Sequence, residues 1–324
     1  MIRTITFRKI WNYLIMVLSY WLSVLLKKPL IADSPSFLTI EPVNFCNLKC
    51  PECPSGMDIL SRSKGKMDIL LFKKIVLENF KTLIYLNLYF QGEPFLNDDI
   101  FKMIHFAREK NIFTEASTNG HFLDSDSCRK IIDSGLNSLI ISLDGLDSKT
   151  YEKYRKGGDF NKVIEGIGNL VNMKNRHKSK TPFIKLQFLV LKHNEHQVKK
   201  LKAESKKLGV DKLIIKSAQV YDFENALNIL PLDDRYSRYK YDKGGKFVIK
   251  HKQKNRCFKM WSSCVITWDG NIVPCCFDKD AEYKFGNINL ASLNSVWKSK
   301  SYNNFRMKLI QNRKKINICC NCSE

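Results

Sequence analysis

Acidic residues are scarce in this 324-residue chain: 32 Asp and Glu stand against 54 Lys and Arg, a formal charge of +22. Glycine (15) and proline (9) are also few, which excludes collagen-like and low-complexity chains. No segment recurs at the period of a solenoid repeat. Hydrophobic residues make up 44% of the chain, so disorder is excluded and a real core can form. At this length folding buries roughly three quarters of the unfolded surface, in one large domain or two ordinary ones.

A long apolar run is missing as well. The nearest approach is 10-IWNYLIMVLSYWLSVLL-26, with Asn12, Ser19 and Ser23 inside it. That falls short of the ~20 apolar residues of a membrane span. The following 30-LIADS-34 is a poor signal-peptide cleavage site. Trp11, Tyr20 and Trp21, flanked by Arg3, Arg8, Lys9, Lys27 and Lys28, suit a helix lying in a membrane interface. A helix packed on the protein's own core fits the same pattern, and the sequence leaves both readings open.

The basic excess is spread along the chain, with short runs only at 174-KNRHKSK-180, 250-KHKQKNR-256 and 313-RKK-315. It reads as solvated surface lysine. No RNA-binding module is recognisable and no nucleic-acid partner is expected.

What is abundant is cysteine, eleven in all. Cys46, Cys50 and Cys53 form one group. Cys257, Cys264, Cys275, Cys276, Cys319, Cys320 and Cys322 form another, and Cys128 stands alone. Short spacings of this kind point to metal ligation rather than a disulfide framework.

Between residues 36 and 217 strand-like and helix-like stretches alternate. Strands are expected at 36–43, 84–90, 112–117, 137–144, 183–191 and 212–217, with helices near 67–80, 97–110, 124–134, 147–178 and 194–208. Six strands with helical crossovers make a parallel α/β domain. The strands alternate in polarity. Tyr85, Asn87 and Tyr89 share one face, as do Glu115, Ser117 and Asn119; Ser138, Ser142 and Asp144; and Lys185 and Gln187, with Lys216 added. Leu86, Leu88 and Phe90, then Leu139, Ile141 and Leu143, then Leu186, Phe188 and Val190, take the other. Strands covered on both faces are apolar throughout. A partly open barrel with a polar, ligand-holding interior fits this alternation. Beyond it, 264-CVITWDGNIVPCC-276 reads as a hairpin turning at Asp269-Gly270, followed by helices near 291–298 and 301–312. That region is expected to be a small, separate, metal-stapled lobe.

Cys46-x3-Cys50-x2-Cys53 follows the first strand directly. It therefore falls at the C-terminal edge of the sheet, where parallel α/β folds bind ligands. Three thiolates are one short of a closed cluster or zinc site, leaving either an open position or a fourth ligand from elsewhere. Cys257, Cys275, Cys319 and Cys322 supply four thiolates in two pairs, a closed site for zinc or an iron–sulfur cluster.

These residues carry a resemblance. 46-CNLKCPEC-53 resembles the radical S-adenosylmethionine (SAM) signature, 91-QGEP-94 its GGEP motif, and 117-STNG-120 and 141-ISLDG-145 its later strand-end motifs. The 257–322 cysteines resemble the SPASM/Twitch auxiliary-cluster domain in its short Twitch form. The resemblance implies a partial (β/α)6 TIM-like barrel with a small C-terminal hairpin-plus-helix lobe. It divides the chain into an N-terminal amphipathic helix (1–34), a radical SAM core (35–235) and an auxiliary domain (236–324).

It further implies that Cys46, Cys50 and Cys53 bind a [4Fe–4S] cluster whose fourth iron is chelated by SAM. Gly92, Glu93 and Pro94 would border the methionine amino group. Ser117, Asn119, Ser142 and Asp144 would hold methionine and ribose, with Gln187 facing the same cavity. Arg155 would pair with the SAM carboxylate or form a surface salt bridge instead. Cys257, Cys275, Cys319 and Cys322 would bind a second [4Fe–4S] cluster; Cys264, Cys276 and Cys320 are read as non-ligands and Cys128 as a buried apolar residue. Glu52 replaces the aromatic residue usual before the third cysteine, a departure from the family pattern at its adenine contact.

The activity implied is reductive cleavage of SAM to a 5′-deoxyadenosyl radical. The reaction expected is oxidation of a C–H or alcohol carbon in a small molecule or a glycan, lipid-linked glycans included, with the auxiliary cluster accepting an electron. Peptide or protein maturation is the alternative, and nucleic-acid modification a third. A flavodoxin- or ferredoxin-like electron donor is expected, in the reducing cytoplasm, with peripheral contact at the inner membrane face through residues 10–26.

Overall fold

The computed structural model describes residues 5–31, 34–220, 226–245 and 247–323. Helix α1 (Phe7–Leu26) precedes strand β1 (Phe37–Ile40) and the short helix α2 (Pro54–Met57). Helix α3 (Ile69–Asn79) leads into β2 (Tyr85–Asn87), α4 (Ile100–Glu109) into β3 (Phe113–Thr118), and α5 (Ser125–Ser134) into β4 (Ser138–Ser142). Helices α6 (Ser148–Tyr154) and α7 (Phe160–Arg176) precede β5 (Phe183–Val190), and α8 (Val198–Lys207) precedes β6 (Lys212–Ser217). Strands β1 to β6 pair in sequence order and in parallel, which makes the partial (β/α)6 barrel. Asp124, Asp147 and Asp159 each accept a backbone N–H at the start of α5, α6 and α7, fixing where those helices begin.

The alternation of side chains builds the layers. Leu86, Leu88, Leu139, Ile141, Leu143, Leu186, Phe188 and Val190 are all fully buried under the helices. Tyr85, Asn87, Ser117, Lys185 and Gln187 stand half-buried on the other face. Two expectations need correction. Phe90 does not join Leu86 and Leu88: β2 ends at Asn87, the alternation runs on only to Tyr89, and Phe90 lines the same cavity as Tyr89. Lys216 is exposed on β6, the edge strand, rather than sheltered in the interior.

The expected single helix over 147–178 is two. The break falls at 155–159, where Gly157 takes a left-handed φ of +80° that an L side chain rarely adopts. The break leaves Arg155 as the C-terminal cap of α6 instead of a mid-helix position.

The remaining elements are α9 (Ala226–Ile229), an antiparallel pair β7 (Tyr239–Tyr241) and β8 (Phe247–Ile249), α10 (Lys259–Ser262), β9 (Ser263–Ile266), β10 (Asn271–Val273) and β11 (Gly286–Asn287). Helices α11 (Leu293–Trp297), α12 (Lys300–Asn312) and α13 (Asn317–Cys320) close the chain. The β9–β10 hairpin forms as the sequence indicates, but it is not detached. Strand β9 pairs in parallel with β1, register Phe37–Ser263 through Ile40–Ile266, so one nine-stranded sheet runs β11-β10-β9-β1-β2-β3-β4-β5-β6. The pairing covers the outer edge of β1, whose N–H and C=O groups would otherwise be open.

Candidate active site and auxiliary cysteine site

Residues 41–53 leave the C-terminal end of β1 and carry Cys46, Cys50 and Cys53. Cys50 is buried; the other two are half-buried. Two clamps hold this loop. On one side the Glu93 N–H donates to the Phe45 carbonyl at 3.0 Å, and Gly92 sits so close that a Cβ would lie 2.6 Å from the Val43 and Phe45 carbonyls. Only glycine fits there, and its φ of +73° adds to the demand. On the other side the Lys49 N–H donates to the Lys156 carbonyl at 2.9 Å, tying the loop to the turn after α6.

The sulfurs receive donors. Cys46 Sγ accepts from the Leu48 N–H (3.4 Å) and from Asn119 Nδ2 (3.6 Å), and Arg155 Nη1 stands 4.0 Å from Cys50 Sγ. Burial pushes the Cys50 thiol up to about 11. Buried sulfurs that meet N–H groups and a guanidinium are a soft anionic donor set, and that set fits an iron–sulfur cluster.

Glu93 is fully buried, and both its oxygens are engaged. Oε1 accepts from Thr118 Oγ1 (2.9 Å) and the Phe95 N–H (3.2 Å), and Oε2 from the Asn119 N–H (2.8 Å). Burial raises its carboxyl to about 7 against the pull of these donors. Pro94 is buried and starts a single 3-10 turn.

Asn119 is the hub of the strand-end motif. Its Nδ2 donates to Asn47 Oδ1 (2.8 Å), and its Oδ1 accepts from the His121 N–H (3.1 Å) and His121 Nδ1 (3.0 Å). His121 Nε2 accepts from the Asp159 N–H at 2.8 Å, so the proton sits on Nδ1 and the ring is neutral. Burial lowers the His121 pKa, in the same sense. Sequence reasoning missed His121; its place two residues after Asn119 was the available signal.

Arg155 and Asp144 hold each other. Arg155 Nε and Nη2 lie 2.6 and 2.5 Å from Asp144 Oδ2, and Asp144 Oδ1 accepts from the Leu189 N–H at 2.7 Å. Asp144 is fully buried, so this is a buried bridge and not a surface one. Ser142 is buried at the end of β4 and pairs in register with half-buried Gln187 on β5; Ser117 is half-buried on β3.

A polar cluster lies deeper in the barrel. Glu115 accepts from Lys185 Nζ, and Tyr85 and Tyr89 lie near enough to feel its charge. Burial first, then the Glu115 charge, raises both tyrosines. Beside them a cavity of about 510 Å³ is lined by Thr39, Tyr85, Asn87, Tyr89, Cys275 and Cys276, among others. Glu115 was legible only as one residue of an alternating strand.

Cys275 also borders a second space. There Cys257, Cys275, Cys319 and Cys322 meet around one void with Phe277, Phe305 and Arg313. Buried Arg313 donates from Nη2 to Cys322 Sγ (3.1 Å) and from Nη1 to the Arg256 carbonyl (3.1 Å). Gln253 Nε2 donates to the Cys322 carbonyl (2.9 Å) and to that of Cys319. Among the described residues no three thiol, imidazole or carboxylate groups converge on a single-ion position; these four sulfurs ring a void instead. Of the remaining cysteines, Cys128 and Cys264 are core, Cys276 faces the barrel cavity, and exposed Cys320 turns toward the Lys314 carbonyl at 3.3 Å. Cys320 lines a surface depression of about 500 Å³ with Lys240, Lys250, His251, Lys252 and Lys314.

Comparison with known proteins agrees with this arrangement. Residues 40–202 match the radical SAM superfamily, and residues 257–323 match an iron–sulfur cluster-binding domain, SPASM. The chain is 26% identical over 300 residues to a tungsten-containing aldehyde ferredoxin oxidoreductase cofactor-modifying protein of Pyrococcus furiosus, covering 83% of each chain. It is 25% identical over 297 residues to the PqqA peptide cyclase of Gluconobacter oxydans, covering 85% of this chain and 80% of that one. In fold it resembles BtrN solved with AdoMet and 2-DOIA (TM-score 0.55, 18% identity, 90% and 93% covered). It also resembles SuiB of Streptococcus suis bound to S-adenosylmethionine (TM-score 0.66, 16% identity, 90% and 73% covered). The chain belongs to the radical SAM superfamily: it is an enzyme that uses a [4Fe–4S] cluster and SAM and carries a SPASM iron–sulfur domain.

Proposed function

We propose that the enzyme oxidises an alcohol or other C–H carbon of a small polar molecule or glycan held in the barrel cavity. The observation that carries this reading is Cys275, which borders both the cavity and the auxiliary void, so an electron leaving substrate has a short path. In this reading Cys46, Cys50 and Cys53 hold the first cluster, and Cys257, Cys275, Cys319 and Cys322 the second. SAM would be held by Gly92, Glu93, Pro94, Ser117, Asn119, Ser142 and Gln187, with Asp144 and Arg155 fixing the rim. Bound together, these groups supply reductive cleavage of SAM to methionine and a 5′-deoxyadenosyl radical that takes a hydrogen atom, and a sink for one further electron.

Oxidising an alcohol carbon to a carbonyl removes one hydrogen atom from carbon, one proton from oxygen and one electron. The Glu115 carboxylate, positioned by Lys185, takes the proton. The donor that starts each turnover is an acidic flavodoxin- or ferredoxin-like protein, suited to the lysine-lined depression beside Cys320. Oxygen-labile clusters suit a reducing compartment, the cytoplasm.

A second reading, oxidation or crosslinking of a peptide side chain, is favoured by the PqqA peptide cyclase likeness. One experiment tests the shared chemistry. After anaerobic reconstitution about eight irons per chain are expected, with 5′-deoxyadenosine formed on adding SAM and dithionite. About four irons and one zinc would remove the electron sink and with it the oxidation. Deuterium carried from a labelled polyol pool or a labelled peptide pool into 5′-deoxyadenosine separates the two substrate classes.

A further inference from the structure

Helix α1 is built inside out. A surface helix normally turns its apolar stripe to the core and its polar residues to water. Here the buried residues are Lys9, Asn12, Met16, Ser19, Tyr20 and Ser23, four of them polar. Four of these six have partners elsewhere in the fold. Lys9 Nζ donates to the Asn111 carbonyl, and Asn12 Nδ2 to Ser36 Oγ (2.9 Å) and the Ser34 carbonyl (3.0 Å). Ser23 Oγ accepts from Trp261 Nε1 at 3.0 Å, and Tyr20 sets its ring edge against Phe258 and Trp261.

The outward face is the apolar one. Phe7, Trp11, Leu14, Leu18, Trp21 and Leu25 recur every three or four residues, each more than half exposed, with Phe7 at 81% and Leu25 at 75%. This is one continuous stripe along a 20-residue helix. Its charge is of one sign. Residues 1–32 contain no Asp or Glu but five cations, Arg3, Arg8, Lys9, Lys27 and Lys28. Arg3 lies outside the described residues; Arg8, Lys27 and Lys28 are exposed, and Arg256 sits over the Trp21 ring.

We propose that α1 lies flat on an anionic lipid bilayer and holds the enzyme there peripherally. The stripe supplies apolar burial, Trp11 and Trp21 supply the indoles that favour the headgroup level, and the cations meet anionic lipid. By length and composition α1 could cross a membrane. Its hydrogen-bonded polar face holds it parallel to the protein surface instead.

The same anchors set the orientation. Ser36, Asn111 and α10 immediately precede β1, β3 and β9, so α1 lies across the N-terminal ends of the strands. The cysteine loop, Gly92, Asn119 and Asp144 follow the C-terminal ends. The bilayer is therefore at the floor of the barrel and the SAM loop at the far end. A substrate arriving from water reaches that mouth freely, whereas a lipid-linked glycan in the same bilayer would have to reach past the whole barrel. This counts against the lipid-linked substrate suggested by an interface-like N-terminus.

The test is co-sedimentation of the full chain with vesicles of phosphatidylcholine alone or with phosphatidylglycerol, at low and high salt. At least tenfold more protein should pellet with the anionic vesicles at low salt, and high salt should release it. Leu14→Glu/Leu18→Glu should abolish binding, and Arg8→Gln/Lys27→Gln/Lys28→Gln should remove only the preference for anionic lipid. All five side chains are exposed, so iron content should be unchanged and reports folding directly. Three results would overturn the proposal: no binding at low salt, binding that resists carbonate extraction, or a dimer that Leu14→Glu/Leu18→Glu splits without any vesicle binding. None of these readouts depends on which substrate is oxidised.

Discussion

The two cysteine sites use the same sulfur chemistry and differ in the charges around it. At the first site the nearby guanidinium is spoken for: Arg155 is bridged to buried Asp144, and a second carboxylate, Glu93, is buried close by. At the second site Arg313 points its guanidinium at the thiols themselves, donating to Cys322. The first site is a three-sulfur loop at the open end of the barrel, clamped by backbone contacts to Phe45 and Lys156. The second has four sulfurs around a void lined by Phe277, Phe305 and Leu309. An open, charge-balanced site suits a cluster that must bind SAM and deliver an electron. A closed site with a guanidinium aimed at its sulfurs suits one that receives an electron.

The harshest way to break the comparison is to empty one site at a time. Cys46→Ala/Cys50→Ala/Cys53→Ala should abolish 5′-deoxyadenosine formation and lower iron from about eight to about four per chain. Cys319→Ala/Cys322→Ala should also lose about four irons yet keep 5′-deoxyadenosine formation, while oxidised product disappears. Equal loss of 5′-deoxyadenosine in both variants would mean that the sites are not divided in this way. Next in size is Glu115→Gln, which leaves both cysteine sets intact and removes the proton acceptor. Product formation should fall about 10²- to 10⁴-fold, with 5′-deoxyadenosine released unproductively. An unchanged product rate would assign Glu115 to the barrel filling alone.

The division between the sites is partly legible in the sequence. Six strands in order, and the C-terminal hairpin, follow from polar–apolar alternation and turn residues, because those signals are local. Both cysteine sets follow from spacing. What stayed hidden depends on contacts distant in sequence. The β9–β1 pairing joins residues more than two hundred positions apart, and nothing in Ser263–Ile266 marks it for parallel pairing. Asp144 reads as a SAM contact and Arg155 as a SAM contact or a surface salt bridge; that they hold each other in a buried pair emerges only from the fold. Helix α1 read as amphipathic, but which face is inside is decided by Asn111, Ser36 and Trp261.

The buried carboxylate of the first site gives it a pH dependence. Glu93 titrates near 7 in the folded protein, above its ordinary 4.5. A raised carboxyl pKa means that the native state holds the proton more tightly than the unfolded chain. Its contribution to stability is therefore full below about 4.5 and is lost as pH rises to about 7, amounting to about 3 kcal/mol. In cluster-free protein, urea unfolding at pH 5 and pH 7.5 should show this loss, and Glu93→Gln should flatten it. A slope that persists unchanged in Glu93→Gln would place the titrating group elsewhere.

The smallest effect sharpens the comparison most. If Arg313 sets the second site's electron affinity, Arg313→Gln keeps a hydrogen-bond donor at Cys322 but removes the charge, so the reduced, more negative cluster loses stabilisation. The midpoint potential of the second cluster, followed by EPR in a redox titration, should fall by about 59 mV, a tenfold change in a one-electron equilibrium. Arg313→Lys should restore part of the shift, because it returns the charge without the fork geometry. The first cluster, measured in the Cys319→Ala/Cys322→Ala background, should not move when Arg313 is changed. A potential insensitive to Arg313→Gln would leave the guanidinium as a structural tie between Cys322 and the Arg256 carbonyl, and the different roles of the two sites would then rest on ligand number and enclosure alone.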